Sequence, residues 1–225
     1  MTKFFRFPHT PHIAWLATGE PREDKVMSPE DAELLLAGDV VLEEKLDGAN
    51  LGFSVSVDGL LLAQNRGQYL RQPFHGQFAR LCPWLVAHED KLFDALGSQL
   101  VAFGEWCAAC HSLDYEKLPD WWLVFDIYNR ATRQFWSTAR RNAWAADLGL
   151  VTVPRLHAGH VDLGQLREWV NTKQSKFRKG NLEGLIIRRE NGDWLEQRAK
   201  LVRADFTQTI ETHWRSRPLL WNRVI

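Results

Sequence analysis

Apolar positions along the chain fall into short runs whose period changes from element to element. Ser28-Pro29-Glu30-Asp31 predicts a helix start, with a hydroxyl at the N-cap, proline at the first helical position and acids in the first turn; Gly38 is placed to end it. Val40-Val41-Leu42-Glu43-Glu44-Lys45 reads as extended and runs into Leu46-Asp47-Gly48-Ala49-Asn50. Leu51 to Val57 alternates as a half-buried strand does, Asp58-Gly59 supplies a hairpin turn, and Leu60 to Gln64 returns. Trp84 to Leu96 has a helical pattern closed by Gly97; residues 99–106 and 121–128 are apolar strands. Ala139 to Leu148, followed by Gly149, and Leu163 to Val170 predict two more helices. Leu182 to Arg188 and Trp194 to Leu201 predict a strand pair joined at Asn191-Gly192-Asp193. With no repeat and no low-complexity linker, the expectation is one α+β domain over residues 1–225, built on antiparallel strands.

Composition agrees with a packed core: 225 residues, 45% hydrophobic, with 11 tryptophans. No run approaches the ~20 apolar residues of a membrane span and the start carries no apolar block of signal-peptide length, so a cytoplasmic protein without a membrane partner is expected. Cys82, Cys107 and Cys110 are an odd set, expected as reduced thiols. Cys107-Ala108-Ala109-Cys110-His111 has the spacing of a c-type haem attachment site, yet such attachment follows export, and one CxxC with His111 supplies too few ligands for a structural zinc. No haem is expected. Net charge is zero, but residues 1–129 hold 10 Lys+Arg against 19 Asp+Glu, and residues 130–225 hold 18 against 9. Such asymmetry gives a basic face for a phosphate-rich partner if the halves present different surfaces; if the charges mix on folding, it gives none.

Isolated polar residues mark the strand ends. Lys45 precedes Asp47-Gly48, Arg66 follows Gln64-Asn65, Glu105 ends an apolar strand, and Glu183 opens Gly184-Leu185-Ile186-Ile187. Residues two apart in a strand share a face, so Arg198 and Lys200 are expected to form a two-pronged cationic clamp. Taken singly, each has a plainer reading as a solvated turn lysine, a strand-end carboxylate or the wet face of an edge strand.

Their order changes that reading. Lys45-Leu46-Asp47-Gly48, Asn65-Arg66-Gly67, Phe103-Gly104-Glu105-Trp106, Trp122 to Tyr128, Glu183 to Arg188 and Arg198-Ala199-Lys200 resemble the successive motifs of covalent nucleotidyltransferases, the polynucleotide ligases and mRNA capping enzymes. Among these the chain is most similar to ATP-dependent RNA ligases. Phe7-Pro8-His9-Thr10-Pro11-His12 and His213-Trp214-Arg215-Ser216-Arg217-Pro218 look like the two ends of a bacterial or phage RNA ligase domain.

The resemblance implies an antiparallel-sheet nucleotidyltransferase fold (an ATP-grasp-like ligase adenylylation domain), here without an appended OB domain. It implies ATP and Mg²⁺ or Mn²⁺ as cofactors, and as partner an RNA or nicked duplex with 5′-phosphate and 3′-hydroxyl ends, in RNA repair alongside a separate end-healing kinase or phosphatase. Lys45 becomes the nucleophile that carries AMP. Its pKa is expected to be lowered by burial or by cations such as Arg198 and Lys200, which also face the α-phosphate. Family members usually carry lysine where Arg198 stands. Phe125 is expected to stack on adenine, Glu105 to bind the ribose hydroxyls, and Arg66 to touch AMP or the 5′-phosphate. Asp47 and Glu183 are expected to place the metal ion, directly or through its waters. Gly48 is expected to leave room for the nucleotide, Asn50 to fix the loop or contact phosphate, and Glu44 to be the least involved. A basic surface for the polynucleotide is expected from Arg203, Arg215, Arg217 and Arg223, or from Lys173, Lys176, Arg178 and Lys179. A DNA ligase, a capping guanylyltransferase and an inactive nucleotide-binding module are the alternatives.

Overall fold

The computed structural model describes residues 4–19, 26–209 and 218–225. In chain order these form α1 (Pro29–Leu36), β1 (Val40–Lys45), β2 (Ala49–Val55), β3 (Leu61–Gln64), α2 (Leu81–Leu96), β4 (Leu100–Trp106), β5 (Trp122–Asn129), β6 (Gln134–Phe135), α3 (Thr138–Asp147), β7 (Val151–Thr152), β8 (Arg155–Gly159), α4 (Leu163–Thr172), β9 (Gly184–Asn191), β10 (Trp194–Val202) and α5 (Ala204–Thr209). They build an α+β fold on two sheets, ordered β10-β9-β1-β8 and β3-β2-β4-β5-β6, with β7 added to β5. Every pair among these strands is antiparallel except β5 with β7.

Local chemistry accounts for the helix ends. The Ser28 hydroxyl accepts from Asp31 N at 3.1 Å, and Asp162 and Gln165 close a reciprocal capping box on α4. The second helix starts three residues before the expected Trp84, with Pro83 in its first turn, where no intrahelical donor is lost. The β2–β3 connection is longer than the expected two-residue turn: Ser56 N donates to Leu60 O at 2.8 Å, and the Ser56 hydroxyl accepts from Leu60 N at 3.1 Å. The short strands β6, β7 and β8 were not expected.

Each sheet has its own core. Leu51, Phe53, Trp106 and Trp122 pack with Trp84 and Leu92 of α2 on the larger sheet. Leu42, Leu185, Ile187 and Leu201 pack with α1 and α4 on the smaller. The chain passes from the smaller sheet to the larger through Leu46-Asp47-Gly48, directly after Lys45. That crossing sets Lys45 at the seam between the sheets. No helix among the described residues is long and apolar enough to cross a membrane.

Candidate active site

A cavity of about 580 Å³ opens along this seam. Glu44, Lys45, Gly48, Asn50 and Arg66 line it from the first three strands, and Glu105, Phe125, Arg198 and Lys200 from the others. Nine sequence-predicted positions therefore converge on one space; Asp47 and Glu183 do not line it.

Lys45 pairs in register with Gly184, which brings Glu183 to it: Nζ donates to Glu183 Oε1 at 2.5 Å. Glu105 lies across from Asn50 on β4, and its Oε1 accepts from Gly48 N at 3.0 Å. One amine thus faces the carboxylates of Glu183, Glu105 and Asp47, and although burial works against its charge, these three hold its pKa above the ordinary value. The expected depression of the Lys45 pKa is therefore reversed. Its physical reason is the company the amine keeps: anions surround it, while Arg198 is turned to another partner. Burial pushes Glu105 up to about 7 and Glu183 up to about 8; Asp47 adds to both rises and Glu105 to that of Glu183, against the opposing pull of Lys45.

These raised carboxyl values fix a sign for stability. The folded chain holds the Glu105 and Glu183 protons to higher pH than the unfolded chain, so their contribution is full below the unfolded value of about 4.5 and is lost as pH rises through about 7 to about 8. The melting temperature of the wild type is expected to fall across that window more steeply than that of Glu183→Gln, measured by thermal unfolding at constant ionic strength. Parallel profiles would contradict the assignment.

Asp47 is engaged elsewhere. Its Oδ2 accepts from Ser112 N and Leu113 N, both at 2.7 Å, and its own N donates to Tyr115 Oη at 2.8 Å. Gly48 lines the cavity and also meets a need of the fold. A Cβ there would lie 2.7 Å from Trp106 O and 3.0 Å from Glu105 Cγ, so the glycine lets the turn press against β4.

Arg198 and Lys200 share a face of β10, opposite Arg188 and Ile186, and both line the cavity. The Arg198 guanidinium is paired with Asp126 and lies over the rings of Phe7 and Phe135, at 4.5 and 5.0 Å, and burial lowers its pKa. Lys200 anchors the leading segment: its N donates to Pro11 O and its O accepts from Ile13 N, each at 2.9 Å. Arg66 is presented by a turn in which Asn65 Oδ1 accepts from Gly67 N and Gln68 N, and it donates to Pro8 O at 3.3 Å. Glu44 is buried, with Oε2 accepting from Lys176 N at 3.0 Å, and burial raises its pKa. The half-buried Phe125 ring meets Phe7 edge-on at 5.2 Å and, with Val153 and Ile186, makes an apolar wall suited to a flat base.

Sequence reasoning missed Val153, Ile186, Gln77 and His111 as lining residues; His111 Nε2 lies 2.7 Å from Gln77 Oε1. It also missed a buried ion network that forms part of the wall, since Glu43, Asp126, Arg188 and Arg198 all line the cavity. Arg141 holds both oxygens of Glu43, at 3.2 and 2.5 Å, and Arg188 reaches Asp126 at 2.9 Å and Glu190 at 3.0 Å. Cys107 is buried and Cys110 Sγ donates to Leu113 O at 3.4 Å; both thiols are free, and burial raises both pKa values. Among the described residues no three His, Cys, Asp or Glu side chains form a group that could hold a metal ion directly. Of the basic positions, Arg178 pairs with Asp114 at 3.3 Å, Arg203 pairs with Asp205, and Lys173 lies over the Trp169 ring at 4.6 Å. Arg215 and Arg217, with the rest of the 213–217 stretch, lie outside the described residues.

A hard divalent cation held through its own waters fits this donor set. Three carboxylates exceed one amine, and Glu183 Oε2 is buried without a hydrogen-bond partner.

Two largely antiparallel sheets thus meet at a seam that carries Lys45. A Naegleria gruberi RNA ligase variant with ATP and Mn superposes with a TM-score of 0.64 at 19% identity, over 93% of this chain and 64% of that one. A second variant of it, with AMP and Mn, gives 0.64 at 18% identity over 96% and 66%. The same ligase with PPi gives 0.62 at 19% identity over 96% and 65%. The chain thus spans less than two thirds of the length of that ligase. No curated protein sequence matches it. The RNA ligase family profile matches residues 38–202, and the chain belongs to the RNA ligase family.

Proposed function

We propose that the chain is an ATP-dependent RNA ligase that joins 5′-phosphate to 3′-hydroxyl ends through AMP carried on Lys45. The observation that carries the reading is the Lys45 amine at the seam cavity, 2.5 Å from a Glu183 carboxyl whose pKa is pushed up to about 8. The Glu183 carboxylate at that distance is placed to accept the amine proton once the surrounding negative charge is offset. The Nζ–Pα bond then forms as the bond from Pα to the bridging oxygen breaks, and the electron pair leaves with pyrophosphate. In the second step an oxygen of the 5′-phosphate end attacks Pα, the P–N bond breaks, and the Lys45 nitrogen regains a proton. In the third, a 3′-hydroxyl oxygen bonds to the phosphorus of the activated end and gives its proton to solvent, while the P–O bond to AMP breaks and AMP departs with the electron pair.

Phe125, Val153 and Ile186 would receive the adenine face, and Glu105 the ribose hydroxyls. Arg66 and Lys200 would meet phosphate oxygens. Arg198 would act mainly by fixing Asp126 and the Phe7 ring beside the base wall. A Mg²⁺ or Mn²⁺ ion held through water by Asp47, Glu105 and Glu183 would offset the anionic field that keeps Lys45 protonated and neutralise charge on the leaving pyrophosphate.

The structural likeness to the Naegleria gruberi ligase supports the fold of this reading, and the family supports RNA as its substrate class. Incubation with α-labelled ATP and Mg²⁺ or Mn²⁺ is expected to give protein-bound label that survives alkali and is released by acid, as a phosphorus–nitrogen bond requires. Nicked and single-stranded substrates ending in RNA are then expected to be sealed in preference to DNA ends. ATP binding without pyrophosphate release would instead support an inactive nucleotide-binding module.

A further inference from the structure

A segment remote in sequence grips the turn that follows Lys45. Residues 220–225 lie along residues 108–118, with Cys110 N donating to Leu220 O at 2.8 Å, Arg223 N to Tyr115 O at 3.0 Å and Leu118 N to Arg223 O at 2.9 Å. Asn222, 5% exposed, is the buried centre of this contact. Its Nδ2 donates to Cys107 O at 2.8 Å and Ala109 O at 3.3 Å, its Oδ1 accepts from Tyr115 N at 2.8 Å, and its N donates to Ala108 O at 2.9 Å. One side chain therefore ties together the two limbs of the 107–115 loop. Only a carboxamide offers two donors and an acceptor in this arrangement.

The far side of the same loop holds the nucleophile turn. Ser112 N and Leu113 N both donate to Asp47 Oδ2 at 2.7 Å, and Tyr115 Oη accepts from Asp47 N at 2.8 Å. Asp47 stands two residues after Lys45 in the turn that crosses between the sheets. An error in the loop is thereby passed to the bearing of the Lys45 amine through three hydrogen bonds.

We propose that Asn222 is a positioning residue for the nucleophile: it closes the 107–115 loop so that Asp47 and Tyr115 fix the turn bearing Lys45. The proposal rests on the adenylylation reading for its kinetic consequence, and on geometry alone for its structural one. Asn222→Asp keeps the size but sets carboxylate oxygens against the Cys107 and Ala109 carbonyls. Tyr115→Phe keeps the ring and removes only the acceptor of the Asp47 amide. A displacement of about 1 Å at a reacting atom costs up to ~100-fold in rate, so each variant is expected to slow lysyl-AMP formation by about 10-fold or more. The KM for ATP should change by less than about 3-fold, because the base wall of Phe125, Val153 and Ile186 lies on other segments of the chain.

Two readouts separate positioning from mere stability. In a double-mutant cycle the Asn222→Asp and Tyr115→Phe losses are expected to be strongly less than multiplicative, since both act through the Asp47 contact. Hydrogen exchange at the Asp47, Ser112 and Leu113 amides, at a temperature where both variants remain folded, is expected to quicken in Asn222→Asp. Unchanged exchange there, or rate losses that simply multiply, would overturn the proposal. If the wild type takes no label at all, the adenylylation reading fails on its own, and the exchange measurement still decides what Asn222 holds.

Discussion

Lys45→Ala is expected to abolish uptake of label from α-labelled ATP, a loss on the order of 10⁴-fold or more, because the atom that bonds to phosphorus is removed. Lys45→Arg sharpens the test. It keeps a cation among Glu183, Glu105 and Asp47, and so relieves the same excess of negative charge, but a guanidinium does not give up its proton at neutral pH and is no nucleophile. Loss of label in both variants with folding retained in Lys45→Arg assigns the reaction to the nitrogen rather than to its charge. Among the described residues, Lys45 and Lys200 are the lysines that line the cavity. Label that persisted in Lys45→Ala and vanished in Lys200→Ala would move the nucleophile to β10 and sink the mechanism above.

What could be read in advance divides by the range of the physical information. Strand ends were legible because the apolar runs around Lys45, Glu105 and Glu183 break at a polar residue, and a polar residue at the end of a buried strand has few places to go but a cavity or solvent. The β9–β10 hairpin was legible from Asn191-Gly192-Asp193, since turn chemistry is local. The fate of Arg198 was not, because Asp126 lies 72 residues away and nothing near β10 shows that it will take the guanidinium. The direction of the Lys45 shift failed for the same reason: strand register brings Glu183 from 138 residues away to 2.5 Å, and the amine answers to what surrounds it in space. Strand β8 carries Arg155, His157 and Gly159 with little apolar content, and only its pairing with β1 makes it a strand. Asn222, in a stretch with no periodicity, gave no signal; its meaning lies in three backbone groups of a loop more than 100 residues upstream.

The buried ion network along the cavity wall carries the second large effect. Glu43, Asp126 and Glu190 face Arg141, Arg188 and Arg198, three carboxylates against three guanidinium groups, and Glu43 and Arg141 are 1% and 0% exposed. Asp126 and Glu43 hold the Arg188 pKa above its ordinary value although burial opposes the charge. Replacing the whole set by apolar residues need not destabilise the fold, since desolvating six charges costs much of what their attraction returns. Removing one member is different. Glu43→Ala leaves three buried guanidinium groups against two carboxylates, with the Arg141 fork retaining only Asn142 Oδ1 and Phe125 O as acceptors. The expected cost is about 3–5 kcal/mol, a large share of the ~5–15 kcal/mol that holds a domain folded, and a fall in melting temperature of roughly 10 °C or more. Glu43→Gln, which keeps an oxygen acceptor, should lose less; Glu89→Ala, at an exposed site on α2, should change stability by no more than about 0.5 kcal/mol. Denaturant unfolding of the three variants checks the order. A Glu43→Ala chain within about 1 kcal/mol of wild type would mean that the guanidinium groups find water or other partners, and that the network does not brace the strand carrying Lys45.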